Sequence, residues 1–409
     1  MRDSLKEEDY VLEQFTIATI WLALAVIATI LANRLKISMS LMEICVGAAA
    51  GYIATQFIKP DIMRSNSEWL KFIASSGAVV LTFLAGAELA PGSLRKKLRE
   101  VSIVGLIGFF APFLGCAAIA RFLLHWDVRA SLLAGVALST TSMAVVYSVM
   151  LEYGFNKTEY GKGILGSCFI NDLGTVIALG LIFAPFTYKS ITFICVSVIM
   201  FFIIPKITRG LIQQYAYKTA AIRTKWILLL LFGLGALAIW SGSEAVLPAY
   251  IVGMLLAGTI GKDSFYIRRL RTLTIGFLTP FYFLRAGSLV SIPSVISAPL
   301  IFFALLAGKI TTKIFGLYPV IGIFKEDNRE RWYYTLLMST GLTFGTISAL
   351  YGLTHGIVSQ EQYSHLVAVV IGSAVIPTLI ANLFFLPRHL LEIPTADEEI
   401  PREETNFLK

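Results

Sequence analysis

Hydrophobic residues occur along this chain in long blocks, separated by short polar segments. The blocks approach the ~20 residues that a helix needs to cross the hydrocarbon core of a bilayer. They lack both the two-residue alternation of barrel strands and the 3.6-residue stripe of a soluble amphipathic helix. The pattern therefore predicts an all-α polytopic membrane protein.

We count about thirteen candidate spans of the length that a bilayer requires. They cover approximately residues 15–35, 40–57, 69–89, 101–124, 130–153, 163–185, 191–211, 226–241, 245–260, 273–290, 298–318, 332–353 and 366–386. Lys and Arg are concentrated in alternate loops, and the loops after the eighth, tenth and twelfth spans contain neither. The positive-inside rule then places the N-terminus outside a cell (inner) membrane and the C-terminus in the cytoplasm.

Composition agrees with this class. Of 409 residues, 56% are hydrophobic and 15% are charged, against about 25% charged in soluble domains. The net charge of +8 does not indicate a nucleic-acid partner, because the basic residues lie in short loops and not in one patch. The expected surroundings are membrane lipid. The four cysteines are isolated in apolar segments, so we expect neither a zinc site nor a disulfide framework, and no cofactor.

The sixth candidate span carries one carboxylate, Asp172, with an amide beside it, Asn171. An ionised Asp near mid-membrane costs about 2.5–3.5 kcal/mol, and such residues usually face a cavity, a cation or a proton path. We therefore predict that Asp172 is the ion or proton site of a membrane transporter. The alternative is a structural Asp satisfied by neighbouring donors.

Two spans contain hydroxyl and glycine residues at mid-membrane, where a continuous helix is disfavoured. The fifth span carries A-L-S-T-T-S-M-A-V at residues 137–145, and the twelfth carries S-T-G-L-T-F-G-T-I-S at residues 339–348. Each precedes the last span of a triplet, spans four to six and eleven to thirteen. Paired interrupted helices predict inverted repeats with the binding site at the midplane; small-residue helix packing is the alternative.

Such a site would provide oxygen ligands for a monovalent cation. Asp172 supplies a charged oxygen, and hydroxyls or freed carbonyls near Thr140 and Thr141 supply neutral ones. Asp172 can hold a proton or a cation but not both, which would couple the two fluxes. Cys168 and Thr175 lie about one turn away on the same helix and border the site.

The sequence resembles the monovalent cation:proton antiporter-2 family, which includes sodium/proton antiporters and glutathione-gated potassium effluxers. The resemblance covers nearly the whole chain, in order. Its motifs are S-T-T-S-M-A-V-V-Y-S-V-M-L-E-Y-G from residue 139, G-K-G-I-L-G-S-C-F-I-N-D-L-G-T from residue 161, L-T-F-L-A-G-A-E-L at 81–89, T-P-F-Y-F-L-R-A-G at 279–287 and S-T-G-L-T-F-G-T at 339–346. It implies the NhaA/NapA-like sodium/proton antiporter fold with two crossed broken helices, and a homodimer. We expect no nucleotide-binding domain in this chain.

The resemblance also implies roles for individual residues. Asp172 would bind cation and proton in turn, and Thr140 and Thr141 would line the crossing. Asn171 stands where the electrogenic members have a second Asp, which favours electroneutral exchange. The remaining candidates are Lys309 or Lys313 as the core-stabilising cation, and Ser142 and Thr343 in the two interrupted segments.

The implied domains follow the spans. They are dimerisation helices at 1–100 and 226–292, a core domain at 101–186 and 293–387, a linker helix at 187–225 and a cytoplasmic tail at 388–409.

Further charged residues have two interpretations each. Arg285 would be a gate or ion-pair partner, or would snorkel to the outer interface. Glu88, and similarly Glu43, would line a cytoplasmic funnel or cap a helix at the interface. The four histidines lie at predicted span ends, and we do not predict a pH sensor among them.

These observations predict a secondary antiporter, not an enzyme, that exchanges protons for Na+, Li+ or K+ by an elevator-type motion of the core domain. The alternatives are a sodium-coupled organic-anion symporter on the same fold and a K+/H+ effluxer. An intramembrane protease would need a second Asp or a Ser–His pair at depth, and a channel would need a repeated filter loop; we find neither pattern in the sequence.

Overall fold

The computed structural model describes residues 2–35, 39–58, 63–87, 97–153, 155, 158–183, 188–215, 221–243, 245–261 and 263–390. Regular structure in this part of the chain is helical. In chain order the helices are α1 Arg2–Leu35, α2 Met39–Ile53, α3 Glu68–Ala87, α4 Leu98–Ala118, α5 Val128–Ser139, α6 Met143–Glu152, α7 Glu159–Phe183, α8 Tyr188–Tyr215, α9 Ile222–Trp240, α10 Val246–Leu256, α11 Ser264–Leu273, α12 Thr279–Ser288, α13 Ile292–Ser297, α14 Pro299–Ile321, α15 Asn328–Met338, α16 Thr343–Thr354 and α17 Gln360–Ile380. Four π-helical turns extend α2, α4, α11 and α17: Ala54–Ile58, Ile119–Leu123, Thr274–Leu278 and Ala381–Phe385.

Within the described residues, nine helical segments are long and apolar enough to cross a membrane, the broken Asn328–Thr354 among them. The second, fifth, ninth and tenth predicted spans are instead shorter, broken or divided by a π-turn. The prediction of an all-α polytopic membrane protein is confirmed.

Several helices begin earlier than their predicted spans, and for two of them a capping residue explains the difference. The tenth span begins at Ser264, so most of the basic segment predicted as a loop is helical; Asp263 caps it by accepting from the Tyr266 amide at 3.0 Å. The last span begins at Gln360, where Ser359 forms a capping box with Gln362. Capping groups can start a helix in polar sequence, ahead of the first apolar residue.

The helices pack in two sets. In the first, which we call the crossing set, α4 packs against α5, α7 and α14, α16 packs on α5, and α17 packs on α14 and α16. In the second, the glycine-packed set, α2 packs on α12 and α3 on α10.

Glycine determines how closely the second set packs. A Cβ added to Gly47 would clash with the Leu284 carbonyl, and one added to Gly287 would clash with the Ile44 carbonyl. Small residues let membrane helices approach backbone to backbone, where dispersion replaces the hydrophobic effect as the source of stability.

The crossing set consists of two repeats, α4–α7 and α14–α17. Asp127 caps α5 by accepting from the Arg129 amide at 3.0 Å, and Asp327 caps α15 by accepting from the Arg329 amide at 2.7 Å. Each capped half-helix ends near the middle of its span and is followed by a short break and a second half-helix. The two predicted interruptions are confirmed, although each break is only three or four residues long.

Candidate functional site

The first break separates α5 from α6 at residues 140–142. Thr140 has extended backbone (φ −62°, ψ 151°), and its hydroxyl donates to the Ala137 carbonyl at 3.1 Å. Ser142 Oγ accepts from the Val145 amide at 3.3 Å and so begins α6. Hydroxyl side chains therefore satisfy backbone groups that the interrupted helix leaves open.

The second break, at residues 339–342, separates α15 from α16 by the same means. Ser339 Oγ donates to the Thr335 carbonyl and Thr340 Oγ1 to the Leu337 carbonyl, both at 2.8 Å. Leu342 leaves the helical region of φ and ψ (φ −154°, ψ −81°) before α16 begins at Thr343.

The two breaks contact each other directly. The Ser142 amide donates to the Thr340 carbonyl at 3.2 Å, and Thr141 Oγ1 donates to the Met338 carbonyl at 2.8 Å. Because these bonds join one unwound segment to the other, the broken helices cross at this point. The predicted crossed arrangement is confirmed.

Both candidate lysines reach the crossing from α14, and both are fully buried. Lys313 Nζ donates to Thr141 Oγ1 at 2.9 Å. Lys309 Nζ occupies the space beside Gly341, where an added Cβ would collide with it and would lie 3.1 Å from Thr140 Oγ1. Lys313 therefore contacts the first break and Lys309 the second, although Lys309 Nζ has no hydrogen-bond partner among the described residues. Which of the two stabilises the core stays a prediction.

Helix dipoles explain why cations suit this place. The C-terminal ends of α5 and α15 meet at the crossing, and such ends carry partial negative charge. Lys313 donates to the Thr141 hydroxyl, and this hydroxyl donates to the Met338 carbonyl at the end of α15, so two successive hydrogen bonds connect the lysine to that carbonyl. The lysines thus offset the negative half-helix ends.

Asp172 lies on α7 beside this crossing and is only 1% exposed. Its Oδ1 has no hydrogen-bond partner among the described residues, and its carboxylate interacts electrostatically with Lys313. A buried carboxylate oxygen without a donor is expensive unless a proton or a cation occupies it. The geometry therefore leaves Asp172 available to such a ligand.

Asn171 connects α7 to the first break. Its Nδ2 donates to the Ser139 carbonyl at 3.3 Å, while its Oδ1 has no hydrogen-bond partner within the described ranges. Asn171 thus presents an oxygen without a donor beside the end of α5, and hard cations are bound through oxygen atoms of this kind.

The other candidates on these helices have lesser positions. Cys168 is buried, and its thiol points at the Met338 sulfur, 3.5 Å away. The Thr175 hydroxyl donates to the Asn171 carbonyl on its own helix at 3.2 Å. Thr343 is half-buried at the first position of α16.

An aromatic cluster covers the crossing on the side of the glycine-packed set. The buried Tyr250 ring from α10 stacks on Phe169 with centroids 5.3 Å apart and meets Phe344 edge-on at 5.8 Å. The Tyr250 hydroxyl also donates to the Phe169 carbonyl at 3.2 Å. Phe169 lies one turn before Asp172 on α7, so this cluster is a neighbour of the carboxylate.

A cavity of about 570 Å³ lies between the two helix sets. Its floor includes Val246 and Ile347, each one turn from a member of the aromatic cluster, and its rim includes the exposed residues His355 and Gln360. Asp172 does not line it. Phe169, Tyr250 and Phe344 do not line it either.

The remaining predicted residues lie elsewhere. Arg285 is 5% exposed, its Nε donates to the Ser65 carbonyl at 2.7 Å, and it lines the cavity. Both of its predicted roles stay predictions. Glu43 is buried on α2, and its predicted roles stay predictions. Glu88 lies outside the described residues. His365 is fully buried, because α17 starts earlier than its apolar pattern indicates.

Sequence reasoning missed Gly341 and Tyr250. Gly341 lies in a break that the hydroxyl pattern did reveal, but the need for space there comes from Lys309 on another helix. Tyr250 has no local signal, since an aromatic residue in an apolar span is ordinary.

Comparison with known proteins agrees with this architecture. A model of the family described as "Sodium/hydrogen exchanger, transmembrane" matches residues 22–386. Probable Na(+)/H(+) antiporter 3 of Methanocaldococcus jannaschii is 24% identical over 332 residues, which cover 78% of this chain and 84% of the relative.

Two longer relatives are matched over part of their length. Putative Na(+)/H(+) antiporter YjbQ of Bacillus subtilis is 25% identical over 89% of this chain and 62% of its own. Glutathione-regulated potassium-efflux system protein KefC of Shigella sonnei is 23% identical over 88% of this chain and 60% of its own. The chain thus spans about three fifths of the length of these two relatives.

The fold matches that of a solved structure, the sodium proton antiporter MjNhaP1 from Methanocaldococcus jannaschii. The TM-score is 0.67 at 15% identity, and the match covers 90% of this chain and 97% of the other. At this identity the likeness shows the fold alone.

Proposed function

Because the chain belongs to the transmembrane sodium/hydrogen exchanger family, we propose that it is a secondary active antiporter that exchanges Na+, and in second place Li+ or K+, for protons. The family is one of transporters, not of enzymes. The observation that carries the proposal is Asp172, a buried carboxylate with an oxygen lacking a hydrogen-bond donor among the described residues, beside two crossed helix breaks.

Competition at Asp172 couples the two ions. A cation at the carboxylate would complete its shell with oxygens such as Asn171 Oδ1 and those of the first break, and a proton would neutralise the same carboxylate. A core that carries an uncompensated buried charge meets a high barrier. The core domain therefore moves when Asp172 holds a proton or a cation, and it does not move when the carboxylate is empty. Exchange of one ion for the other is then obligatory.

Movement of the crossing set past the glycine-packed set would change the side from which Asp172 is reached. We assign the core domain to residues 101–186 and 293–387, and the dimerisation helices to 1–100 and 226–292. The direct backbone contacts at Gly47 and Gly287 support a rigid scaffold. In such an elevator motion the Tyr250 cluster closes the cavity side and must part for the ion to leave there.

The finer assignments rest on resemblance. The motifs around Asp172 resemble the cation:proton antiporter-2 branch and its NhaA/NapA-like proteins. From them we propose a homodimer in the cell membrane with its N-terminus outside, and electroneutral exchange, since Asn171 leaves one carboxylate at the site. Chemical crosslinking in native membranes tests the dimer.

Proteoliposomes that contain a pH-sensitive dye test the function. After a proton gradient is imposed, external Na+ should release the quenched dye in vesicles with protein and not in empty ones, with Li+ and K+ as separate arms. No response to any of the three cations would contradict antiport. A response that needs an added organic anion would indicate the symporter.

A K+/H+ effluxer is the second candidate, supported by the likeness to the potassium-efflux protein KefC. Both cations use the same oxygen ligands and differ in the size of the shell they need. A larger response to K+ than to Na+ in the same vesicles would favour this alternative.

A further inference from the structure

The cavity between the two helix sets has walls of different origin. One wall comes from α3, α10 and α12 of the glycine-packed set, including Lys71, Tyr282 and Arg285. The other comes from α16 of the crossing set, including Ile347 and Tyr351. A ligand in this cavity would contact both sets at once.

The charge of the lining is unexpected for a cation pathway. None of the described lining residues is Asp or Glu, whereas Lys71 and Arg285 are both present; Glu244, between the lining residues Ser243 and Ala245, lies outside the described residues. Lys71 is already paired with the exposed Glu68 at 2.9 Å. A vestibule that collects cations would carry carboxylates instead.

Arg285 is the most buried charge of this lining, and among the described acids Glu68 acts on it electrostatically. Its side chain donates to the neutral Ser65 carbonyl, and no carboxylate lies within 4.0 Å of its guanidinium in the part of the chain that the structure describes. A guanidinium stays protonated in proteins, and a buried charge is costly without a partner of opposite sign. The cavity has room beside the Arg285 guanidinium for a partner of negative charge.

The size and polarity of the cavity indicate what that partner is. A volume of about 570 Å³ falls within the range of small-molecule sites and exceeds the needs of a halide. Leucine, isoleucine, valine and tyrosine side chains make up much of the remaining lining. The planar fork of Arg matches the oxygens of a carboxylate or sulfonate.

We propose that this cavity binds a small organic anion, a carboxylate or sulfonate with an apolar body, through Arg285. The anionic group contacts the guanidinium, and the body lies against the apolar residues of α10 and α16. Because the occupant bridges the two helix sets, it holds them together and slows their relative movement. The site is distinct from Asp172, which does not line the cavity.

Benzenesulfonate is a suitable probe, because it is permanently charged and does not carry protons across vesicles as a weak acid does. Isothermal titration of the purified protein in detergent should show binding of benzenesulfonate, and binding of the neutral benzenesulfonamide should be absent or at least tenfold weaker. In proteoliposomes, saturating benzenesulfonate should slow cation-driven proton flux severalfold. Equal binding of the neutral analogue would overturn the assignment.

Substitutions locate the site. Arg285→Gln should weaken benzenesulfonate binding about 30-fold or more, the loss expected when one partner of a buried charge pair is removed, and Arg285→Lys should retain part of it. Arg121→Gln is the matched control, since Arg121 also donates to a backbone carbonyl, that of Trp126, but lies outside the cavity. Unchanged binding by a folded Arg285→Gln protein would refute the proposal.

The proposal and the antiport function can fail separately. Asp172→Asn should lose exchange and still bind benzenesulfonate with wild-type affinity. Loss of binding in that variant would place the anion at the cation site and contradict a distinct cavity. If the wild type binds the anion but catalyses no exchange, only the function is wrong.

Discussion

The two repeats of the crossing set share one backbone plan and differ in charge. In each, an Asp caps the first half-helix and a Thr in the break follows at the same interval, Asp127 with Thr140 and Asp327 with Thr340. The first repeat then supplies a carboxylate, Asp172, where the second has Gly372 at the equivalent interval. The second supplies the lysines.

The lysines have equally clear counterparts. Lys309 and Lys313 of α14 correspond in spacing to Phe109 and Phe113 of α4, whose rings stack with centroids 5.5 Å apart. The backbone repeat therefore brings two breaks together, while divergence of the side chains delivers the acid from one repeat and the bases from the other. Such a site can hold one exchangeable charge, at Asp172, beside the fixed charges of the two lysines.

The two breaks also differ from each other at one position, which is Thr141 in the first break and Gly341 in the second. In the first break Thr141 offers a hydroxyl to Lys313. In the second, Gly341 at the equivalent position offers only space, which Lys309 fills. A hydrogen bond to Thr141 positions Lys313, whereas Lys309 fits at the second break because Gly341 has no side chain.

Removal of the hydroxyl should have the larger effect. Thr141→Val keeps the shape of the side chain but removes the acceptor for Lys313 and the donor to the Met338 carbonyl. We expect a loss of about 3 kcal/mol of unfolding free energy, the upper end for a hydrogen bond to a charged group, and a clear drop in exchange rate. Denaturation in detergent measures the first and dye dequenching the second.

Thr141→Ser is the control for this variant, because it keeps the hydroxyl and loses only a methyl group. A Thr141→Val protein as stable and active as the serine variant would show that Lys313 needs no acceptor there.

Filling the space should have a somewhat smaller effect. Gly341→Ala places a methyl group where the Lys309 ammonium lies, and overpacking of this kind costs about 1–3 kcal/mol. Thermal unfolding should show the loss, with slower exchange. Gly372→Ala on α17 is the matched control, since its Cβ would approach the Phe302 ring no closer than 3.3 Å. If both alanine variants behave alike, Lys309 is not held by the missing side chain.

A membrane potential should have the smallest effect. If Asn171 leaves a single carboxylate at the site, as proposed, one cation exchanges for one proton and no net charge moves, although a potential of 100 mV acts on each moved charge with about 2.3 kcal/mol. Flux in proteoliposomes should therefore change little when valinomycin and K+ gradients set the potential, with Na+ as the transported ion. Strong voltage dependence of the wild type would contradict the single-carboxylate account.

Asn171→Asp sharpens this test by adding a second carboxylate to the first repeat. If that variant remains active, its flux should become more sensitive to the potential than that of the wild type. An active variant with the wild-type voltage response would show that the residue at this position does not set the stoichiometry.

Much of the fold was predictable, because its signals are local. Apolar runs indicated the spans, and clusters of Ser, Thr and Gly indicated both breaks, since these residues compete for backbone hydrogen bonds within their own turn. A lone Asp in an apolar run stands out for the same reason. The positions of Asp172 and the crossing follow from these signals together.

The partners across the crossing were not predictable. Whether Lys309 or Lys313 faces a given break depends on how α14 is rotated against two other helices, and no local pattern records that rotation. The partner of Arg285 was not predictable either, since Ser65 lies far away in the chain. His365 was judged peripheral because capping at Ser359 adds a turn that the apolar pattern omits.

The central claim is that Asp172 carries the exchanged ion because of its place at the crossing and not merely because it is a buried acid. Glu43 is the matched control, equally buried at 1% exposure and also with a carboxylate oxygen that lacks a hydrogen-bond partner among the described residues, but on α2 of the glycine-packed set. Cation-driven proton flux should fall to the level of empty vesicles in Asp172→Asn and persist in Glu43→Gln, with both variants folded. Wild-type flux in Asp172→Asn would contradict the account.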